Sequence, residues 1–339
     1  MKRISLLFIS VSLILTGLLS SCETDIDVTA EYKDITVVYG ILSRNDSIHY
    51  FRINKAFLGD GNVLEYVTNA DSSSYYDNLE VTLTESNSSG PTRTLQFDTI
   101  QIDNKEDGTF YGPKQVAYKS EFKIPTGDQE YTYSLKVRNK ITGKEITSKT
   151  SVVKNFDITS PRFGQPTIDF LTDNNFVMKW RSGKNGRRYE PFIRFWFQEV
   201  FVGNDTIDRY IDWRLGSAKS KNLNGGEEMT MPYKPTGIYE ISKSLIPYKD
   251  GREAQVIARY VDRCDFTIAV AGDELNTYME VNGPTSGITQ DRPEYSNIDN
   301  GLGLFSSRYT KMISIPVGAP TEARFMQIEG LKFKDKLGN

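Results

Sequence analysis

Two cysteines, a single histidine and a large stock of carboxylates are the side chains with which this 339-residue chain could do chemistry. Leu19-Ser20-Ser21-Cys22 sets an aliphatic residue and two small ones before a thiol. Small residues let a chain enter a narrow peptidase site, and the cysteine sulfur is the nucleophile that can carry a diacylglycerol thioether. This lipobox pattern makes Cys22 the expected lipid attachment residue, the alternative being an ordinary signal peptide with an adventitious cysteine. With Cys22 acylated, Cys264 has no partner for a disulfide within the chain. Its neighbours Asp262, Arg263 and Asp265 are of mixed charge, and a catalytic thiolate needs a base where only one histidine exists. That histidine, His49, shares a strand face with Phe51 and Ile53. It is expected to be a packed or edge residue, because no Ser- or Cys-centred motif stands near it. One histidine also excludes a multi-His zinc centre.

The 44 Asp and Glu residues single out no pair for glycoside hydrolysis. Asp103-Asn104-Lys105-Glu106-Asp107-Gly108 has the outline of a calcium loop, but Lys105 takes a ligand position and no Glu follows at the twelfth, so a β-turn is expected. Arg181, Lys184, Arg187, Arg188 and Arg194 form a local basic cluster, read as a solvated loop or a contact for an acidic partner. Tyr75, Tyr76, Trp196 and Trp213 are candidates for stacking on sugars or anchoring a protein, or for plain core positions. The expectation is therefore a non-enzymatic protein with no catalytic, cofactor or metal residues.

What positions these residues begins with the leader. Lys2 and Arg3 precede the apolar stretch Ile4–Leu19, too short for the roughly 20 residues of a membrane span, so residues 1–21 read as a lipoprotein signal peptide. Glu23, Asp25 and Asp27 make residues 22–33 an acidic tether, repelled by anionic headgroups. Two or more acyl chains anchor stably where one does not. The net charge is −3, which gives no general attraction for nucleic acid, and apolar residues at 38% without Gly fit an ordinary globular chain.

Beyond the tether the dominant period is two. Tyr131, Tyr133, Leu135 and Val137 alternate with polar residues, as do Leu79, Val81 and Leu83. Further strands are expected at 35–42, 48–56, 93–99, 120–124 and 146–153, with 59–77 a long excursion. The fold class is all-β. Residues 34–155 are expected to form an Ig-like or fibronectin-like β-sandwich, and residues 156–339 a second β-rich domain with one short helix at 273–281. In the second region Phe176, Met178 and Trp180 alternate, 192–201 reads as a central strand covered on both faces, 206–213 as its hairpin partner, and 255–261 and 266–270 as later strands.

One stretch carries more than generic pattern. Ser296-Asn297-Ile298-Asp299-Asn300-Gly301-Leu302-Gly303-Leu304-Phe305-Ser306-Ser307 resembles the C-terminal signature of a Bacteroidota outer-membrane lipoprotein family of unknown function, domain of unknown function 4249. The lipobox cysteine, the early strand Val37-Val38-Tyr39-Gly40-Ile41-Leu42, the turn Asp107–Tyr111 and the strand Tyr133–Val137 follow in the family's order. Gly301 and Gly303 would allow close backbone approach or positive φ, with Leu304 and Phe305 packing. The family's extra C-terminal cysteines have no counterpart here beyond Cys264. The resemblance implies an outer-membrane, cell-surface lipoprotein, held through Cys22 and acting as a binding or accessory subunit of a TonB-dependent transporter. It supplies no catalytic residues. The alternative is an autonomous glycan-binding or adhesin-like lipoprotein, with a glycan or peptide as ligand.

Overall fold

The computed structural model describes residues 33–58, 75–102, 115–127, 129–283 and 294–335. The leader, Cys22, the tether up to residue 32, the turn at 103–111 and residues 59–74 of the expected excursion lie outside the described residues. The described chain is all-β, with one large mixed sheet and one small one.

In the first half the alternation becomes seven strands: β1 (Lys33–Ser43), β2 (Ile48–Leu58), β3 (Leu79–Asn87), β4 (Gly90–Ile102), β5 (Gln115–Glu121), β6 (Thr132–Asn139) and β7 (Glu145–Ser151). Strand β4 turns the corner of a sandwich. Its residues up to Phe97 pair with β3, and Asp98–Ile102 pair with β5. The layer β1–β2–β5 thus faces β3–β6–β7 across one core, where Phe51 stacks on Phe97 with 4.4 Å between ring centroids. Strand β5 lies earlier than the expected 120–124. Phe122 and Ile124 are buried, but in irregular chain that plugs the open end of the sandwich, where the Phe122 N–H donates to the Ser47 carbonyl at 3.0 Å.

The second half contributes β8 (Ile158–Ser160), β9 (Phe176–Arg181), β10 (Arg188–Phe201), β11 (Thr206–Arg214), β12 (Ala218–Lys219), β13 (Glu228–Tyr233), β14 (Val256–Ala271) and β15 (Leu302–Pro316). The two strands expected in 255–270 are one. Two helices stand beside the expected α2 (Asp273–Asn282): α1 (Gly237–Leu245) and α3 (Ala319–Met326). One short helix was therefore too few among the described residues. Gly237 opens α1, Ala319-Pro320 opens α3, and both helices are too short for the sequence to display a full helical period. Their anchors Ile238, Tyr239 and Phe325 fill the space between the small sheet β13–β9–β8 and the buried face of β10–β14. Among the described residues no helix is long and apolar enough to cross a membrane.

Strand β15 joins the halves. Its first residues pair in parallel with β1, from Val37 opposite Leu302 to Ser43 opposite Arg308. From Arg308 to Pro316 it pairs antiparallel with β14. The approach to β1 requires glycine: Gly303 has φ +115°, and a Cβ there would lie 2.0 Å from the Val38 carbonyl oxygen. Asn297 then acts as a short substitute strand, its amide donating to the Phe305 carbonyl at 2.6 Å and accepting from the Phe305 N–H at 2.9 Å. Ile298 and Phe305 are thereby delivered to the core of the first half, far from their neighbours in sequence.

Candidate binding face

Cys264 is fully buried on β14, and burial pushes its thiol well above the ordinary value, with Asp265 adding to the effect. A thiol held protonated in the core is a packing residue. His49 is 2% exposed and stacks on Phe122 at 4.2 Å, with neither ring nitrogen hydrogen-bonded. Burial holds its pKa below the ordinary value, with Asp46 pulling the other way.

The basic cluster is neutralised piece by piece. Arg187 meets Asp273 at 2.7 Å, Arg188 meets Glu190 at 2.8 Å, and Lys184 pairs with Glu130. Arg181 is 3.9 Å from Glu228. These charges are spread along two strands and a turn, and they face different neighbours.

The closest gathering of carboxylates surrounds Arg259, which is fully buried. Its guanidinium donates to Glu199 at 2.8 Å and reaches Glu253 through two nitrogens at 2.9 and 2.6 Å. Arg209 and the Tyr248 hydroxyl also donate to Glu199, at 2.7 Å each. Burial alone would raise the pKa of Glu253, but Arg259, the Tyr248 N–H and Lys332 hold it below the ordinary value. All four carboxylate oxygens of Glu199 and Glu253 accept at least one hydrogen bond. The same holds at Glu85, where hydrogen bonds from Arg93, Tyr133 and Thr92 outweigh burial and keep the carboxylate ionised. Both clusters are built to hold strands together. Among the described residues no group of three or more His, Cys, Asp or Glu is placed to hold a metal ion.

The aromatic candidates divide. Tyr75 is buried, its hydroxyl 2.6 Å from Thr36 Oγ1. Trp213 packs half-buried against the second core. Trp196 is different. The segment 192–201 is flanked on both sides, by β11 and β14, but it lies one strand from the sheet's edge rather than at its centre, and among the described residues it is not covered on both faces. Tyr189, Ile193, Phe195 and Phe197 are buried, while Phe192, Arg194 and Trp196 on the other face are half-exposed. Among the described residues no second layer covers that face; its own side chains cover one another.

The register shows how. One cross-strand row runs Asp212–Arg194–Asp265–Ser314 over β11, β10, β14 and β15, and the next pairs Tyr210 with Trp196. A β-bulge between Phe195 and Phe197 sets Asp262 and Arg263 opposite Trp196 alone. The extra residue lays the Arg263 guanidinium over the indole, 4.7 Å from its centroid. Arg194 lies 3.9 Å over Tyr210 and is held by Asp212 through two hydrogen bonds of 2.7 and 2.9 Å. The indole N–H donates to buried Asp265 at 2.6 Å, which also accepts from Ser314. Tyr210 is 45% exposed and Met312, on the same face, 52%.

This is a flat, preorganised surface of tryptophan, tyrosine, arginine and methionine, the side chains enriched where proteins meet. Period two in 192–196 announces Phe192, Arg194 and Trp196 on one face. Tyr210, Arg263 and Asp265 join them only through register and the bulge, so the sequence reading missed them. Fold and face together define an all-β protein with a half-exposed face of rings and guanidinium groups on its second half. No family model matches the chain, and no curated protein is found to match it.

Proposed function

We propose that the protein is a lipid-anchored, surface-exposed outer-membrane component that binds rather than catalyses, and that its Trp196–Tyr210 face docks onto a protein partner, a TonB-dependent transporter in the same membrane. The anchoring part rests on the lipobox ending in Cys22, the acidic tether and the family resemblance of 296–307. The docking part is carried by one observation, the ladder of rings and guanidinium groups left half-exposed on β10, β11 and β14. Locking those side chains in place before contact lowers the entropy lost on binding. A glycan stacks on a free ring face. Here Arg194 lies over Tyr210 and Arg263 over Trp196, which favours a protein over a sugar as occupant.

Affinity capture of the tagged full chain from detergent-solubilised membranes tests the reading. A transporter barrel should co-purify with the parent and be lost with Trp196→Ala/Tyr210→Ala. Capture of no barrel, together with binding of the parent to a glycan array, would replace it by the adhesin reading. Cys22→Ala should release the chain from the membrane, and retention there would overturn the lipid anchor.

A further inference from the structure

The large sheet ends on β7 and β11. Strand β7 is closed by Asp299, whose N–H donates to the Thr147 carbonyl at 2.8 Å and whose carbonyl accepts from the Thr147 N–H at 3.3 Å. Strand β11 has no such cover among the described residues. The Phe201 N–H donates to the Asp205 carbonyl at 2.9 Å and the Leu215 N–H to the Pro191 carbonyl at 3.1 Å, so the odd-numbered residues of β11 turn their backbone groups to β10. The N–H and C=O groups of Asp208, Tyr210, Asp212 and Arg214 therefore point outward, along the free edge.

Exposed edges are ordinarily blunted by proline, by a bulge or by a very short strand. Thr206–Arg214 has no proline, and its register against β10 runs without a shift. Ile207, Tyr210, Ile211 and Trp213 are strong strand formers. Its charges are of both signs, and they select one way for the edge to pair with itself. A second copy related by a two-fold axis through the sheet runs antiparallel and keeps the faces aligned, with one residue on the axis. An axis at Asp208, Arg209 or Asp212 sets that residue's charge against itself, and one at Tyr210 sets Asp208 against Asp212. Like charges directly opposite are destabilising. An axis at Ile211 sets Asp208 opposite Arg214 of the second copy, twice over, with Tyr210 opposite Asp212. On the other face Ile207, 43% exposed, comes opposite the apolar Leu215.

We propose that β11 is a dimer edge, on which a second copy of this chain adds its own β11 antiparallel with the two-fold axis at Ile211, joining the two large sheets into one. The pairing uses the edge of the strand and does not rest on the docking of its outer face.

Light scattering on the full chain in detergent, corrected for bound detergent, tests it without a transporter. The parent should have the mass of two chains. Asp208 and Arg214 are both exposed, so reversing either charge should leave the fold intact, which circular dichroism checks. Because the pair occurs twice across the axis, Asp208→Arg alone and Arg214→Asp alone should each weaken dimerisation about tenfold. The double variant Asp208→Arg/Arg214→Asp restores opposite charges and should restore the dimer, which two chains merely sharing a micelle would not do. The proposal is overturned if the parent is a monomer, if a dimer survives both single reversals undiminished, or if the folded double variant stays as weak as the single ones.

Discussion

The two halves of the molecule each turn one sheet face outward, and the two faces have little in common. On the first half the rows read Thr84–Ser134–Lys149 and Thr82–Lys136–Thr147, short hydroxyls and lysines with no ring among them, of which Lys136 pairs with Glu145 at 2.8 Å and Thr147 donates to Asp299 at 3.2 Å. A groove of about 690 Å³ runs there beside Ser296–Asp299, but nothing in its mixed lining favours one ligand chemistry. On the second half the equivalent rows carry Arg194, Trp196 and Tyr210, each held by a carboxylate or a neighbouring ring. A solvated face needs only β-formers of low hydrophobicity. Keeping a tryptophan at a sheet surface and bracing it with an aspartate of 3% exposure goes beyond what folding requires. The difference is what favours the second half for the proposed docking and leaves the first as the part nearer the tether.

That division of labour sits on a shared strand, and the sharpest way to break it is at β15. Phe305→Ala removes a fully buried ring from the core of the first half, which should cost about 3–5 kcal/mol. All three tryptophans, Trp180, Trp196 and Trp213, belong to the second half. If β15 makes the molecule one cooperative unit, urea unfolding followed by tryptophan fluorescence and by far-UV circular dichroism should shift together. A shift in circular dichroism alone would show two halves that unfold separately.

The buried ion networks give the next largest effect. Arg259→Met removes the fully buried one of the two arginines on Glu199 and both hydrogen bonds to Glu253, at a cost of about 3 kcal/mol or more. Arg93→Met in the first half should cost distinctly less, because the Arg93 side chain is 37% exposed and water can reach the site it leaves. Equal losses in thermal melts would mean that the two networks are equivalent, contrary to their burial.

Trp196→Ala comes third. It should lower affinity for the captured partner by about 2 kcal/mol, with a loss of stability of about 1 kcal/mol because buried Asp265 loses the indole donor while keeping Ser314. Thr84→Ala and Lys149→Ala on the opposite half should change neither quantity. Loss of binding from the first-half variants would reverse the assignment of faces.

Much of this architecture was legible because a strand with one buried face must alternate. Leu79, Val81 and Leu83 lie on strand β3, and Tyr133, Leu135 and Val137 on strand β6, for that reason. Strand β15 was not foreseen as a strand, because its middle is Ser306, Ser307 and Arg308. The two serines are fully buried yet polar, satisfied by Glu274, the Ser151 carbonyl and the Val153 N–H. A polar strand centre is invisible to a hydrophobic period. The binding face was half legible, since Arg194 and Trp196 share a parity, whereas their partners come from strands whose register no local pattern encodes.

The smallest effect lies at the seam between the two faces. Glu274, in the first turn of α2, accepts hydrogen bonds from Thr150 of β7 at 3.2 Å and Ser306 of β15 at 3.0 Å. Burial raises its pKa above the ordinary 4.5, more than those two hydroxyls lower it, and the charge of Asp273 adds to the rise. The folded state therefore binds this proton more tightly than the unfolded one. Its contribution to stability is fully present below pH 4.5 and is lost as pH rises through the raised folded value. Glu274→Gln keeps an acceptor for both hydroxyls and removes the titration. It should leave the protein at least as stable as the parent at pH 7, with the gain vanishing near pH 4 in paired thermal melts. A variant that loses stability at pH 7 and not at pH 4 would mean that the seam uses the ionised carboxylate, as the networks at Glu85 and Glu253 do, and the contrast between strand-bracing carboxylates and this one would disappear.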